Sequence, residues 1–479
     1  MITLRGVLAG LGVAVPTDAV NFDRAFAHVV QDSREVQPGD LFVARRGETA
    51  DGHVFVASAV AHGAAAVLAE HIVETPRPVW VFDTQSGNVP PLGPDEAAVA
   101  YILVPDSQRA LEQVAAWWRL QMPVDVVGIT GSVGKTSTKE VTAAVLSRRY
   151  AVLKSERSLN TDVGMALTLL QLTPQHQKAV LEMGMYAQGE IAHLCRLALP
   201  RLGIVTNVGP THLERLGSLE AIAAAKAELV EALPADGVAI LNGDDERVLA
   251  MSGRSAARVF TYGLTPGLDL WASDIISKGL NGISCTFHYR AESVGIDTPL
   301  LGKHSVYAAL AAAAAGLALN LTWDEIGSGL RSIPNRLRLV VRQAANGAQI
   351  IDDSYNASPS SMLAALDLLE EMNGRHVAVL GDMLELGSFE QEGHRLVGRR
   401  VAQVAALLIA VGRRAQIIGE EALRMGMDKG RVFFAGDNAQ AVQIARRLVQ
   451  AGDVVLVKGS RGMKMEEIVT ELQPAAEQQ

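Results

Sequence analysis

The stretch that most constrains this chain is Val124-Asp-Val-Val-Gly-Ile-Thr-Gly-Ser-Val-Gly-Lys-Thr-Ser-Thr138. An apolar, β-branched run ends in glycines, and a lysine with hydroxyl residues then opens a helical pattern that reaches about Ser147. Strand, glycine loop and helix in that order make a phosphate-binding loop. Gly131 and Gly134 let the N–H groups of Ser132 and Val133 turn towards a polyphosphate, whose charge the following helix N-terminus favours. Lys135 can reach the β- and γ-phosphates, and the hydroxyl of Thr136, with Ser137 beside it, suits Mg2+. The spacing departs from the common G-x-x-x-x-G-K-[ST] pattern. The leading glycine, Gly128, stands one residue early, with Ile129 in its usual place. The stretch predicts a nucleotide site.

The rest of the chain gives that loop a large α/β setting. A length of 479 residues suggests about three domains. A net charge of −9 argues against a nucleic-acid backbone as the main partner. The two cysteines, Cys195 and Cys285, make no disulfide or zinc framework and fit a reducing cytoplasm. The apolar N-terminus from Val7 to Val15 is broken by glycine and lacks a clear cleavage site. The longest apolar run, Ala308 to Leu319, is too short to span a bilayer, so no membrane insertion is expected.

The first segment, residues 1–104, mixes short strands with alanine-rich helices. Leu41 to Ala44 reads as a buried strand, Val54 to His62 as a helix and Ala65 to Leu68 as a strand. Asp32-Ser-Arg34 and the Gly47 to Gly52 loop, followed by His53, offer a guanidinium, a hydroxyl and backbone N–H groups to a diphosphate. By themselves, these residues read rather as an ordinary turn with a surface ion pair. Thr84 to Glu96, with Pro90-Pro91, reads as a surface loop before a domain boundary.

The second segment, 105–331, opens with the helix Ser107 to Leu120, whose apolar face is Ala110, Leu111, Val114, Ala115 and Trp118. After the phosphate loop, candidate strands at Ala179–Met183, Leu202–Asn207 and Val238–Asn242 alternate with helices. That alternation predicts a mostly parallel sheet with ligands at its carboxyl ends. Glu182, His212 and the Asn160-Thr161 loop fall at such ends. Glu182 is a sound Mg2+ ligand, because hard cations take oxygen donors. His212 read alone is a supporting or helix-capping group. Lys226, in the helix Ser218 to Leu233, read alone is a solvated helix lysine.

The third segment, 332–479, begins at Pro334-Asn-Arg336 and forms a second α/β unit, with strands at Gln349–Ile351, His376–Leu380, Ala406–Val411, Arg431–Phe434 and Val454–Val457. Polar residues follow three of them: Asp352-Asp-Ser-Tyr-Asn-Ala-Ser-Pro359, Gly381-Asp-Met-Leu-Glu-Leu-Gly387 and Lys458-Gly-Ser-Arg-Gly-Met-Lys464. The G-x-G-x-x-G of a dinucleotide site is missing after a strand. Lys458, Arg461 and Lys464 make a cationic edge.

Together these stretches resemble the Mur ligases over essentially the full length, and within them the MurF type. The resemblance is carried by Asp32-Ser-Arg with Pro38-Gly-Asp-Leu-Phe-Val-Ala and Asp51-Gly-His, by Gly128 to Thr136 with its offset glycine, and by Asn160-Thr, Leu181-Glu-Met-Gly, Asn207-Val-Gly-Pro-Thr-His and Lys226. The three third-segment motifs complete it. It implies three domains: a small α/β UDP-binding domain, a central P-loop parallel-sheet ATPase domain and a C-terminal Rossmann-like α/β domain. It implies ATP-dependent joining of D-alanyl-D-alanine to UDP-N-acetylmuramoyl-tripeptide by a cytoplasmic monomer. It also implies two Mg2+ ions bound through Thr136, Glu182, His212 and a Lys226 carbamylated by CO2, with Arg336 near the phosphates and Asp353 at the ribose. Ser33, Arg34, Gly47, Asp51, Gly52, His53, Asn160, Thr161, Tyr355, Asn356, Lys458, Ser460 and Arg461 match substrate-binding positions. The departures are Asn335 for a glycine, Ala166 for a frequent proline, and Ser305 and Tyr307 where asparagines are expected, one of them at adenine. A MurE-type ligase adding one diamino acid is the neighbouring alternative, but its Asp-Asn-Pro-Arg does not occur; a GTPase would need Asn-Lys-x-Asp, also missing.

Overall fold

The computed structural model describes residues 1–15, 22–47, 50–86, 98–156, 159–333 and 340–474. They fall into two compact units: Met1–Gly128 with Tyr150–Gly184 and Glu190–Arg201, and Ile129–Arg149 with Met185–Gly189 and Leu202–Gln479.

In the first unit, β1 (Val29–Val30), β2 (Leu41–Val43), β3 (Ala66–Ala69), β4 (Val79–Asp83) and β5 (Val99–Leu103) form a sheet in the order β1-β2-β3-β5-β4. Every pairing is parallel. Leu41, Phe42 and Val43 are all buried, as expected of a strand covered on both faces. The Pro38-Gly39 turn ahead of β2 is held by the buried Asp40 carboxylate, which accepts from His28 N at 3.0 Å and Gln37 N at 2.8 Å. The helix expected from Val54 starts instead as a 3₁₀ turn, Gly52–Phe55, and continues as an α-helix only over Val56–Ala61. The helix Ser107–Leu120 forms as expected, with Asp106 accepting from Arg109 N at its start. The phosphate-loop strand is β6 (Asp125–Thr130), and β7 (Val152–Lys154) pairs in parallel with β8 (Lys178–Glu182).

In the second unit, β9 (Pro200–Val205), β10 (Val238–Asn242), β11 (Arg258–Gly263) and β12 (Leu270–Ser277) run parallel, and β13 (Ile283–Tyr289) and β14 (Glu292–Thr298) extend them as an antiparallel ribbon. Strands β11 to β14, like β1, β4, β5 and β7 before them, are not among those the sequence pattern predicts. In β12 buried and more exposed positions alternate, and a register shift against β13 lies between Ser273 and Ile276, so β12 lacks the continuous apolar run of a strand such as β10. The alanine-rich run lies in the buried helix Val306–Ala318. No described helix is long and apolar enough to cross a membrane.

The second unit also carries β15 (Val340–Gln343), β16 (Gln349–Asp353), β17 (Arg375–Gly381), β18 (Leu407–Val411), β19 (Val432–Ala435) and β20 (Asp453–Lys458), in the order β15-β16-β20-β17-β18-β19. All pairings are parallel except that of β15, an antiparallel edge strand. The carboxyl ends of β16, β20 and β17 are neighbours, so their three following polar loops meet at one edge. Tight apolar layers cover the sheet, Val377, Val379, Ile409, Val455 and Val457 among them.

Candidate active site

The phosphate loop takes its shape from glycine geometry and from the segment after β9. Gly131 and Gly134 have φ of +148° and +86°, conformations that side chains resist. A Cβ on Gly131 would sit 1.9 Å from Thr206 Oγ1, so the close approach also demands glycine. Asn207 then grips Val133 from both sides: its Oδ1 accepts from Val133 N and its Nδ2 donates to Val133 O, both at 2.9 Å. Thr206 Oγ1 donates to the same carbonyl at 2.7 Å. Ser132 Oγ accepts from Gly209 N at 2.8 Å and donates to Gly209 O at 3.0 Å. Lys135 folds back over the loop, donating to Gly131 O at 2.8 Å. Thr136 and Ser137 lie in the first turn of the helix Lys135–Leu146. The sequence reading quoted the Asn207 motif but gave Thr206 and Asn207 no role; the signal was an amide following a buried strand beside a glycine loop.

Behind that loop the protein segregates charge. Lys226 is only 2% exposed, so its reading as a solvated lysine is corrected. It lies on the inner face of the helix Leu219–Glu231, among Ile222, Ala225, Ala227 and Leu229. Burial first, and the Lys135 ammonium second, hold its amine well below the ordinary lysine value. His212 sits in the left-handed region, φ +56°, at the start of the helical turn Leu213–Leu216, but its side chain makes no cap. Burial lowers the affinity of its imidazole for a proton, Glu385 opposes that, and Lys135 and Lys226 reinforce it. Lys135, Lys226 and His212 thus share one electrostatic neighbourhood. Glu182, buried at the end of β8 in the first unit, accepts from Asn160 Nδ2 at 2.9 Å, and Thr161 precedes the next helix, Asp162–Leu169, at its N-cap position without a side-chain cap. Among the described residues no three His, Cys, Asp or Glu side chains form a metal-holding group.

In the first unit the Asp32–Arg34 ion pair is present, with Nη2 to Oδ2 at 2.6 Å and the guanidinium largely exposed. The Arg34 hydrogen bonds hold the Asp32 carboxyl down to about 2. Ser33 lies between them in the turn. Gly47 N donates to Ala50 O, and a Cβ on Gly52 would meet the backbone of Arg45 at 2.7 Å. His53 is interior: its Nε2 accepts from Glu70 N at 3.0 Å, so Nδ1 carries the proton and faces Asp51 Oδ1 at 2.6 Å. His53 therefore sets the loop from the interior, 2% exposed in side chain, while Asp51, which pairs with it, stays 42% exposed. Nearby, a polar cleft of about 650 Å³ is lined by Arg45, Arg46, Gln108, Arg109, Asp162 and His193 among others.

At the carboxyl edge of β16 and β20, Lys458 is buried against Asp353, Nζ to Oδ2 at 2.7 Å, and donates to Asn356 O at 2.8 Å. Arg461 pairs with Glu466 and lies over the exposed Tyr355 ring, 5.4 Å from its centroid. Of the predicted cationic edge, Lys458 and Arg461 are thus paired, because β20 carries Lys458 inward, while Lys464 is exposed. Ser460 Oγ accepts from Leu384 N and donates to Ala357 O, tying the three loops together. Ser305 donates to Leu301 O, and Tyr307 donates to Asp244 Oδ2 at 2.9 Å, so both departures are engaged within the fold. Arg336 lies outside the described residues, as do Pro334, Asn335 and Pro90-Pro91.

Comparison with known proteins agrees over the whole length. Residues 26–119 match the Mur ligase family catalytic-domain model, 129–316 the Mur ligase middle domain and 335–461 the Mur ligase glutamate ligase domain. A relative from Bacillus subtilis (strain 168), named UDP-N-acetylmuramoyl-tripeptide--D-alanyl-D-alanine ligase, is 37% identical over 448 residues, covering 93% of this chain and 92% of its own. A crystal structure of MurF from Acinetobacter baumannii superposes with a TM-score of 0.82 at 29% identity, covering 98% of both chains. MurF ligase from Thermotoga maritima, solved in complex with ADP, gives 0.75 at 27% identity, covering 93% of this chain and 96% of its own.

Proposed function

The chain belongs to the Mur ligase family, and from that premise we propose how its residues join D-alanyl-D-alanine to UDP-N-acetylmuramoyl-tripeptide at the expense of ATP. The observation that carries the reading is the phosphate loop clamped by Thr206 and Asn207, with Lys135 folded onto it and the buried Lys226 behind.

A carboxylate is a poor electrophile. The terminal carboxylate of the tripeptide therefore attacks the γ-phosphorus of ATP, and ADP leaves with the bridging oxygen. The resulting acyl phosphate is attacked at its carbonyl carbon by the dipeptide amine, which loses a proton, and phosphate departs from the tetrahedral intermediate to leave an amide. Lys135 and the N–H groups of residues 132–136 hold the charge that gathers on the transferring phosphoryl group. Because Asn207 and Thr206 fix Val133 in advance, the loop pays little reorganisation when the nucleotide arrives.

The donor set fits Mg2+ once Lys226 is modified. A buried lysine displaced towards its neutral amine has the lone pair that adds to CO2; the N–C bond forms, one proton leaves, and a carbamate oxygen replaces a cation. With Thr136, Glu182 and His212 it would hold two ions, which neutralise phosphate charge. In this reading Arg336 and Asp353 attend the nucleotide. Ser33, Arg34 and the loop set by Gly47, Asp51, Gly52 and His53 hold the UDP moiety. Asn160, Thr161, Tyr355, Asn356, Lys458, Ser460 and Arg461 meet the peptide substrates. The chain works as three parts, 1–104, 105–331 and 332–479, in the cytoplasm as a monomer.

The test is phosphate release from ATP with UDP-N-acetylmuramoyl-tripeptide, comparing D-alanyl-D-alanine with single amino acids. Release with the dipeptide alone, together with UDP-pentapeptide product, is the expected result. Release with a single diamino acid on the UDP-dipeptide would overturn it.

A further inference from the structure

The loop after β17 reaches back to His212. Glu385 lies in the left-handed region, φ +63°, a conformation that non-glycine residues adopt at a cost. Leu386 is buried beside it, and Gly387, φ +52°, opens a 3₁₀ turn, Gly387–Phe389. A Cβ on Gly387 would lie 3.0 Å from both the N and the Cα of Glu214, so this turn rests directly on the helical turn Leu213–Leu216 that begins at His212. The strained backbone at 385 brings Glu385 Oε2 to 2.8 Å from His212 Nδ1, off the line of a straight N–H···O bond. The other side of the imidazole is walled by Tyr186, edge to face at 5.1 Å, whose ring in turn carries the Arg215 guanidinium 4.9 Å from its centroid.

An imidazole that donates Nδ1–H to a carboxylate keeps its lone pair on Nε2, the arrangement that orients histidine ligands and raises their basicity towards a cation. We infer that Glu385 is a positioning residue: a small rotation of its carboxylate from the 2.8 Å contact brings it into line with Nδ1–H of His212 and fixes that tautomer for a divalent cation, and so makes cation affinity depend on the 382–389 loop being seated on the turn after His212. The inference rests on the metal role proposed above for His212. A carboxylate placed there only to hold two segments together would have no need to face a ring nitrogen. A leucine or a glycine suffices for the backbone contact, and both are already present at 386 and 387.

The experiment uses the full-length protein saturated with ADP and follows Mn2+ binding by electron paramagnetic resonance of the free ion. Glu385→Gln should weaken Mn2+ binding roughly 10-fold or more, the usual effect of removing a carboxylate from behind a histidine ligand. Glu385→Asp should recover part of the loss, while the thermal midpoint and ADP affinity without metal stay at wild-type values. In a His212→Gln background, Glu385→Gln should change Mn2+ binding no further. Mn2+ affinity within twofold of wild type in Glu385→Gln, or a further loss in the His212→Gln background, would overturn the inference. A wild-type protein whose Mn2+ binding is already insensitive to His212→Gln would overturn the metal reading beneath it, a result the same titration separates from the first.

Discussion

Asn207→Ala isolates what holds the phosphate loop in readiness. The substitution removes two hydrogen bonds, Val133 N to Oδ1 and Nδ2 to Val133 O, and leaves the Thr206 hydroxyl on the Val133 carbonyl. The carbonyl stays satisfied and only the Val133 N–H is orphaned, at a half-buried position that water can reach. At about 1 kcal/mol per neutral bond the loss is about 2 kcal/mol. That energy can be read in two places. If the loop stays ordered, the whole loss appears as reduced folding stability. If it disorders locally, nucleotide binding must restore it, which at ~1.4 kcal/mol per decade is roughly a 30-fold rise in Kd. Urea unfolding and calorimetric titration of Mg2+–ADP on the same preparation should therefore give penalties that sum to about 2 kcal/mol. Asn207→Asp keeps the acceptor for Val133 N–H but turns a carboxylate towards the Val133 carbonyl, so it should lose at least as much. If both measurements on Asn207→Ala stay within about 0.5 kcal/mol of wild type, the backbone bonds and Thr206 hold the loop unaided and the reasoning fails.

Three further outcomes are expected. Gly52→Ala would push a methyl to 2.7 Å from the Arg45 carbonyl, so UDP-substrate affinity by calorimetry should fall roughly 10-fold with ADP affinity unchanged; an unchanged UDP-substrate affinity would refute the loop assignment. Lys226→Met should abolish turnover yet raise the thermal midpoint at neutral pH. In buffer freed of CO2, where Lys226 is the unmodified amine, it titrates in the fold well below its unfolded value of 10.5, so the unfolded chain binds more protons and wild-type stability rises with pH between those two values; scans from about pH 6 to 10 should show the gap to the variant closing, and parallel curves would refute it. Asp353→Ala strands Lys458, 3% exposed in side chain, and should cost about 3 kcal/mol in urea unfolding, with Asp353→Asn milder; a cost under about 1 kcal/mol would mean that the Asn356 carbonyl alone satisfies the amine.

What the sequence revealed followed the range of the interactions involved. The phosphate loop was legible because its chemistry is local: Gly131, Gly134 and Lys135 lie within one turn of chain. Some parallel strands were legible because burial on both faces writes a continuous apolar run, as in β2, β8 and β20, whereas the partly exposed β4 and β12, also parallel, were not. Lys226 was illegible from its own surroundings, since its helix has alanines on both flanks and only the fold decides which face is covered; the family resemblance singled it out instead. The burial of Lys458 was illegible for the same reason, because only the fold shows its pairing with Asp353. For His53, which the resemblance assigns to substrate, the bond from Glu70 N and the contact with Asp51 became visible only in the tertiary structure.

The alanine-rich run shows why a feature excluded as a membrane span still bears on chemistry. Ala308 to Ala315 are all buried, and the helix Val306–Ala318 packs against the helix Lys135–Leu146 that carries the phosphate loop. Gly316 approaches Val145 Cγ1 to 3.2 Å measured from its missing Cβ, and on the next helix, Trp323–Arg331, Gly329 would meet Val145 Cα at 2.5 Å. Larger residues at either glycine would lever the phosphate-loop helix outward and carry the N–H groups of its first turn with it. Because those N–H groups must point at a phosphate before it arrives, displacement by a fraction of an ångström weakens the site more than the lost packing alone would suggest. The small residues are therefore part of the nucleotide site, although none of them touches it.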